Sequence, residues 1–138
     1  MNYIYKKDAR KDAFLILYQW DIKGDKIEEV IEDYITYNNI KNPERRRYAR
    51  KLVRTYMEKA KEIDNLIAEL TENWELDRLG YIERNILRVA LTELLYIGVK
   101  RLKEAIADYI KLTVKYAGKN PAKFVNGILG KALRERLN

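Results

Sequence analysis

The sequence predicts an all-helical fold, and three observations support it. Apolar residues recur at three- and four-residue steps along most of the chain, and no segment alternates with the two-residue period of a strand for long enough to form one. The segment between Ile86 and Ile97 is apolar on nearly every side, interrupted only by Arg88, Thr92 and Glu93. The six glycines fall mostly at apparent helix ends. Because a helix that is apolar all round must be enclosed by its neighbours, we expect a central buried helix.

The composition favours one globular domain over residues 1–138. The chain is 47% hydrophobic and 36% charged, which describes a well-patterned globule and not a disordered tail. It contains neither cysteine nor histidine, so disulfides, thiolate metal sites and histidine-based catalysis are excluded. We therefore expect neither a classical catalytic triad nor a zinc site.

The N-terminus and the apolar segments indicate a cytoplasmic protein. Met1 to Lys11 is charged and lacks the apolar region of a signal peptide. The unbroken apolar runs of the central segment are far shorter than the roughly 20 residues that a membrane span requires. The net charge of +7 makes nucleic acid a candidate partner, because basic side chains release counterions when they neutralise phosphates.

The first helix is expected from about Asp8 to Asp21, with Gly24 as its stop signal. Its buried face is formed by apolar residues at helical spacing, namely Ala9, Ala13, Ile16, Leu17 and Trp20. Lys7, Lys11 and Tyr18 share another face, which suits nucleic acid because it offers charge for phosphates and a ring for bases. Taken alone, that face is better explained as solvated lysines beside a half-buried tyrosine.

Two further helices are expected before the central one. Apolar residues from Ile27 to Ile35 predict a short helix that ends at the Asn38-Asn39 loop. Pro43 fits the first turn of a third helix, whose apolar stripe continues from Ala49 to Leu70 through about seven turns. The basic run at residues 45–47 opposes the dipole of this helix, and such a placement invites a functional explanation.

The central helix is predicted within Trp74 to Gly98. In its first half Arg78, Glu83, Arg84 and Asn85 interleave with apolar residues. We expect this half to reach the surface and to offer polar groups to a partner.

The last third of the chain predicts two helices with a basic connection between them. Inward positions of the first run from Leu102 to Ala117, and those of the second run from Val125 to Leu133. The segment from Lys100 to Lys123 contains seven basic residues and only two acidic ones, so positive charge concentrates here and at the N-terminus.

The connection itself, residues 117–127, carries candidate binding groups. Lys119 and Lys123 add charge to the anion preference of a helix N-terminus. Phe124 fits either the core or a stacked base, and Asn126 fits a cap, an interhelical hydrogen bond or a base edge. Spacing alone slightly favours the structural alternatives for both residues.

Several blocks of the sequence together resemble one known family. They are Leu17-Tyr18-Gln19-Trp20-Asp21, the four segments at 63–64, 74–79, 86–88 and 93–94, and the segment at 123–129, Lys-Phe-Val-Asn-Gly-Ile-Leu. The first is similar to the opening helix of the NusB family of transcription antitermination factors, the next four are similar to its central blocks, and the last closely matches its C-terminal signature. The resemblance covers nearly the whole chain in order.

The resemblance implies two three-helix bundles packed together and a non-enzymatic role, with no catalytic residue, no metal and no cofactor. NusB proteins bind boxA RNA jointly with the ribosomal small-subunit protein NusE, and they join other Nus factors on RNA polymerase to suppress premature termination, notably in rRNA operons. The RNA contacts that the resemblance and the charge pattern imply are Lys6, Lys7, Arg10, Lys11, Lys119, Asn120, Lys123, Phe124 and Asn126. The implied contacts with NusE are Tyr18, Arg78 and Glu83. Asn120 replaces an acid that is common in the family.

Two alternatives belong to other functional classes. Some rRNA cytosine methyltransferases carry a similar helical domain, but no glycine-rich cofactor loop is present in this sequence. The other alternative is a protein-interaction scaffold or homodimer whose basic surface is incidental.

Overall fold

The structure, a computed structural model, describes residues 4–72 and 79–136. These residues form helices joined by short connections. The helices are α1 (Ile4–Lys23), α2 (Ile27–Tyr37), α3 (Pro43–Glu58), α4 (Ala60–Leu70), α5 (Tyr81–Thr92), α6 (Leu102–Ala117) and α7 (Lys119–Arg136), with a π-helical turn (Glu93–Ile97) directly after α5. Neither described range contains a strand, and the prediction of an all-helical fold is confirmed.

Two helices, α1 and α5, organise the packing. α1 contacts α2, α3, α5 and α6, whereas α5 contacts α1, α3, α4, α6 and α7. α1 and α3 both pack against α5, α1 also packs against α6, and α6 packs against α7. In the described ranges no helix combines the length and the apolarity needed to cross a bilayer.

The central helix is buried from Arg84 onward, and this includes two polar residues, Arg84 and Asn85, that were expected at the surface. Every residue of α5 from Arg84 to Thr92 is inaccessible or nearly so. Arg84 Nε and Asn85 Nδ2 donate to the Asp21 carboxylate of α1 at 2.6 and 2.9 Å, so the expectation that both side chains reach the surface is wrong. Sequence periodicity could not reveal a partner more than 60 residues away. The predicted start of this helix, residues 74–78, lies outside the described residues.

A polar cluster around Arg88 ties α5 to three other helices. Arg88 donates to Asp21 on α1 at 3.2 Å and to Asp64 on α4 at 3.0 Å. The Tyr56 hydroxyl of α3 donates to the same Asp64 carboxylate at 3.0 Å. Burial disfavours the charged form of Asp21, but hydrogen bonds from Arg84 and Asn85 outweigh that effect and lower the pKa of Asp21.

A second polar cluster surrounds Glu93, at the other end of the central helix. Its fully buried carboxylate accepts hydrogen bonds from Arg10 on α1 at 2.8 and 2.9 Å, from Tyr109 on α6 at 2.7 Å, and from Tyr48 on α3. The Arg10 guanidinium also donates to Asp108 at 2.9 Å. Among the described residues, no buried side-chain nitrogen or oxygen lacks a hydrogen-bond partner. Arg88 and Glu93, the charged residues that interrupt the apolar segment, therefore have hydrogen-bond partners.

The predicted seven-turn third helix is two helices. α3 ends at Glu58 and α4 begins at Ala60, because Lys59 has φ −109° and ψ 17° and leaves the helical conformation. The apolar spacing continues without change across the break, from Tyr56 through Ala60 to Ile63. Periodicity therefore could not detect it.

The predicted connection at 117–127 is mostly helix. α6 ends at Ala117, Gly118 turns the chain with φ 106°, and α7 begins at Lys119. Pro121 lies in the first turn of α7, where a backbone N–H has no intrahelical partner to lose. Gly118 forms a tight turn, whereas Pro121 lies within α7. The candidate residues from Lys119 to Asn126 therefore lie on a helix.

Replacing Arg10 by alanine is expected to destabilise the fold by about 3 to 5 kcal/mol, because the buried Glu93 carboxylate loses its charge partner. Urea unfolding followed by circular dichroism measures this change. Arg136→Ala, which removes an exposed ion pair with Glu69, serves as the control and should cost under about 1 kcal/mol. Equal losses in the two variants would contradict the assigned role of Arg10.

Asp21→Asn is expected to destabilise the fold by about 2 kcal/mol at neutral pH, because charged hydrogen bonds to α5 are weakened. The pKa of Asp21 is lower in the folded chain, so its carboxylate stabilises the fold above the unfolded pKa of about 3.9, and this contribution disappears as pH falls through the folded pKa. Urea unfolding at pH 7, 5 and 3.5 should give a difference between wild type and variant that is constant at the first two values and smaller at the third. A difference independent of pH would refute this assignment.

Candidate nucleic-acid and partner interface

A basic groove lies between α1 and α6. Arg10 on α1 contacts Asp108 on α6, and further along both helices Phe14 contacts Tyr116. The two helices therefore run in the same direction. The groove has a volume of about 310 Å³. Its lining residues are Lys7, Asp8, Lys11, Asp108, Lys111, Leu112 and Lys115.

The charge of the α1–α6 groove is strongly positive. Four lysines line it, two on each helix at a spacing of four residues, and they are opposed by Asp8 and Asp108. Asp108 is already paired with Arg10 at 2.9 Å, so its charge is compensated within the protein. The groove can therefore hold an anion such as a phosphate.

Arg10 does not lie on this surface. Only 6% of the residue is exposed, and its guanidinium donates to Glu93 and Asp108. Burial opposes the charged form, but the Glu93 carboxylate outweighs it, and the pKa of Arg10 is raised. The expected RNA contact conflicts with this burial, and Arg10 instead supports the groove from beneath through Asp108.

Lys6 lies at a different side of α1 from Lys7 and Lys11. Its ammonium group is 5.2 Å from the ring centroid of Tyr48 on α3, and the Tyr5 ring contacts the same tyrosine edge to face at 6.0 Å. Lys6 therefore points toward α3, whereas Lys7 and Lys11 line the α1–α6 groove.

α7 contributes an exposed polar face next to α6. Lys119, Lys123 and Asn126 are exposed and follow one another at helical steps of four and three residues. Asn126 also lines a second groove, between α6 and α7, with Lys103, Ile106, Ala107, Ile110 and Lys111. Because Lys111 lines both grooves, the α1–α6 and α6–α7 grooves form one continuous surface.

Phe124 is half-buried and packs against the hydrophobic core. Its ring is neither sealed in the interior nor fully exposed. Asn120 is exposed one helical turn before it, on the same side of α7. A ring with a buried edge and an accessible part can both fill the core and stack on a base.

Aromatic rings form a cluster beside the far end of the α1–α6 groove. Tyr18 contacts Phe14 on its own helix at 6.1 Å and Tyr81 at the start of α5 at 6.4 Å, measured between ring centroids. Phe14 in turn contacts Tyr116 of α6 at 5.4 Å. Tyr81 is 46% exposed, so the cluster offers aromatic surface to a partner.

Glu83 lies in the first turn of α5, two residues after Tyr81. Its carboxylate folds back toward the helix N-terminus, so that a Cβ atom placed on Gly80 would be 2.7 Å from Oε1. An acidic group there interacts favourably with the helix dipole, which is a structural reason for its presence. Tyr18 and Glu83 thus lie at one end of the α1–α5 contact, while Arg78 is outside the described residues.

The aromatic cluster adjoins the basic groove at α6. Lys115 lines the groove, the next residue Tyr116 belongs to the cluster, and the Lys115 ammonium is 5.4 Å from the Tyr116 ring centroid. Charged and aromatic groups therefore meet at the border of the α1–α6 groove and the aromatic cluster. Many proteins that bind single-stranded nucleic acid combine a basic groove with aromatic side chains.

The sequence reasoning did not single out the α6 residues Lys111, Lys115 and Tyr116. Their signal was the four-residue spacing of the two lysines, which matches that of Lys7 and Lys11 on α1. The packing of α1 along α6 turns these two lysine pairs into one groove.

Comparison with known proteins identifies similar chains. A family model described as the NusB family matches residues 7–134. The transcription antitermination protein NusB of Aquifex aeolicus (strain VF5) is 42% identical over 125 residues, which cover 91% of this chain and 84% of that protein.

Two solved structures contain similar chains. One is the crystal structure of the antitermination factors NusB and NusE in complex with dsRNA, which matches with a TM-score of 0.90 and 39% identity over 95% of this chain and 97% of the other. A chain in a crystal structure of a plectonemic RNA supercoil matches with a TM-score of 0.94 and 39% identity over 97% of each chain.

Proposed function

This chain belongs to the NusB family of transcription antitermination proteins, and from that premise we propose that it binds boxA-type single-stranded nascent RNA together with the ribosomal protein NusE. The family consists of regulators and not of enzymes, so the prediction of a non-enzymatic protein is confirmed. A relative of similar fold forms a complex with NusE and dsRNA, which supports both classes of partner for this chain.

The observation that carries the proposal is the shared lysine between the two grooves. Lys111 lines the α1–α6 groove with Lys7 and Lys11, and it lines the α6–α7 groove with Asn126. A strand that follows this surface meets cations first and then the Asn126 amide on α7, the helix that also carries the partly accessible Phe124 ring.

The mechanism combines electrostatic capture with base selection. Lysines attract phosphates as point charges and hold them without the bidentate geometry of arginine, so they supply affinity more than selectivity. The Phe124 ring and the amides of Asn120 and Asn126 then select unstacked bases. We assign RNA contacts to Lys7, Lys11, Lys111, Lys115, Lys119, Asn120, Lys123, Phe124 and Asn126, with Lys6 at the border of the surface.

NusE is proposed to bind the aromatic cluster beside the groove. Tyr18 contacts the exposed Tyr81, and Glu83 supplies a negative group for a basic ribosomal protein. Because the cluster adjoins Lys115, NusE bound there would lie next to the RNA, and each ligand would raise the local concentration of the other. Arg78 is retained as a NusE contact on the family resemblance alone.

In this role the protein acts in the cytoplasm, on RNA polymerase and with the other Nus factors, in rRNA operons. The chain is proposed to act as one domain over residues 1–138. Self-association that hides the RNA face is the alternative. Sedimentation velocity with and without boxA RNA separates the two, because a dimer that neither dissociates nor binds RNA would overturn the proposal.

Lys7→Ala/Lys11→Ala is expected to weaken boxA RNA binding about tenfold near 0.1 M salt. The slope of log affinity against log salt should fall by about 1.4, because two phosphate contacts are lost. Fluorescence anisotropy with labelled boxA RNA, alone and with NusE, measures both quantities. Lys23→Ala/Lys26→Ala makes the same charge change at exposed positions outside the grooves and should change affinity less than twofold.

Phe124 is tested within the same titration by two variants. Phe124→Leu keeps most of the packing, whereas Phe124→Ala also removes core contacts. If the ring stacks on a base, both variants bind boxA RNA about tenfold or more weakly while Phe124→Leu keeps its melting temperature within a few degrees. Unchanged RNA affinity in Phe124→Leu would make the ring a packing residue only.

Glu83→Gln is expected to weaken NusE binding about fivefold, because a negative charge facing a basic protein is lost. Isothermal titration calorimetry with purified NusE measures the affinity. Glu62→Gln is the matched control, since Glu62 is the third residue of α4 as Glu83 is of α5, and its change should leave NusE binding within twofold. An equal effect of both variants would show that only net charge matters.

A further inference from the structure

A second basic surface lies on the outer side of α3. Five cations, Arg46, Arg47, Arg50, Lys51 and Arg54, line a shallow groove that begins at Pro43, and we name them the α3 basic face. The buried side of α3 is opposite, formed by Tyr48, Ala49, Leu52, Val53 and Tyr56. From Arg46 to Arg54 the face extends about 12 Å at 1.5 Å per residue.

The fold accounts for part of the basic sequence in α3. Arg45 points inward, where Nε and Nη2 donate to the fully buried Asp12 carboxylate at 2.6 and 2.9 Å. Arg50 and Arg54 each form a two-bond pair with a glutamate of α2, Glu32 and Glu28 respectively. Each pair uses Nε and Nη2, which orients the guanidinium and leaves the Nη1 group directed away from the glutamate.

Packing does not explain the other three cations. Arg46, Arg47 and Lys51 form no hydrogen bond or ion pair with any residue in the described part of the chain. Arg46 and Arg47 also lie near the N-terminus of α3, where the helix dipole disfavours positive charge. The charges of these three side chains are not compensated by an ion pair in the described part of the chain, so they are available to a ligand.

The composition of the face favours a phosphate backbone over a protein or a lipid surface. The exposed large apolar residues of the described chain are Ile22, Tyr37, Tyr81, Tyr96, Leu102 and Val114, none of which belongs to α3. A protein interface needs an apolar or aromatic centre, and an interfacial membrane helix needs apolar anchors. Arginine forks without rings match phosphate oxygens and offer nothing to stack on a base.

We propose that the α3 basic face is a second RNA-binding surface, which holds the sugar–phosphate backbone without selecting bases. It is separate from the α1–α6 and α6–α7 grooves, and it extends the proposed function without depending on boxA recognition. The two surfaces have no lining residue in common.

The test uses the full chain and two labelled RNAs, a short single-stranded boxA RNA and an RNA duplex of unrelated sequence. Arg46→Gln/Arg47→Gln/Lys51→Gln should lower duplex affinity at least about tenfold and reduce its salt slope by about 2 to 3, because three phosphate contacts are lost. Affinity for the short boxA RNA should stay within twofold. The melting temperature should not change, since none of the three side chains bonds within the fold.

A control triple, Lys23→Gln/Lys26→Gln/Lys61→Gln, removes the same charge from exposed positions elsewhere and should leave both affinities within twofold. Unchanged duplex binding in the α3 variant, or an equal loss in the control, would overturn the inference. Displacement of the duplex by poly-L-glutamate at equal charge concentration would overturn it as well.

The outcome for each RNA separates this inference from the proposed function. If the wild type binds boxA RNA but not the duplex, the inference fails and the proposed function stands. If the wild type binds the duplex through α3 but does not bind boxA RNA, the inference stands and the proposed function fails.

Discussion

The burial of the Glu93 carboxylate is the constraint on which the arrangement of helices depends. A charge removed from water is tolerated only when it is paired and fully hydrogen-bonded. Glu93 follows α5 directly, and its partners Arg10, Tyr48 and Tyr109 come from α1, α3 and α6. Satisfying one carboxylate therefore fixes three helices around the fourth. Because Arg10 also holds Asp108, the same cluster determines where α1 meets α6, and the basic groove follows from that contact.

The second cluster fixes the register of α1 against α5. Arg10 pairs near the end of the central helix and Asp21 pairs near its beginning, so the two helices run antiparallel. The two positions are about 16 Å apart along α1, and neither pair could be kept if one helix slid by a turn. Tyr18 lies close to the second of these points and contacts Tyr81 there. Interior polar contacts thus position the aromatic cluster as well as the lysine groove.

The sequence was sufficient to predict features that depend on one helix at a time. The buried central helix and the shared face of Lys7 and Lys11 follow from periodicity, and the structure contains both, whereas Tyr18 packs among aromatic rings outside that groove. The sequence was insufficient where the burial of a side chain depends on contacts between two helices. Arg10 belongs to a basic run with Lys7 and Lys11, and only its partner 83 residues away distinguishes a buried arginine from an exposed one. The breaks at Lys59 and Gly118 were missed or misplaced because apolar spacing passes through the first and proline is tolerated after the second.

Arginines pair with carboxylates inside the protein whereas lysines stay at the surface, and for this reason the surface is more basic than the composition implies. The buried ion-pair clusters hold four arginines and five carboxylates, so these clusters carry none of the net charge of +7. The arginines are Arg10, Arg45, Arg84 and Arg88, and the carboxylates are Asp12, Asp21, Asp64, Glu93 and Asp108. Within the described ranges no lysine is buried. An arginine fork satisfies a buried carboxylate with two fixed bonds, whereas a strongly hydrated ammonium is better left in water. Two arginines of α3 depart from this rule, because the half-buried Arg46 and the exposed Arg47 have the fork but pair with no carboxylate of the described residues. An external group with paired oxygens is the complement that their geometry lacks within the chain.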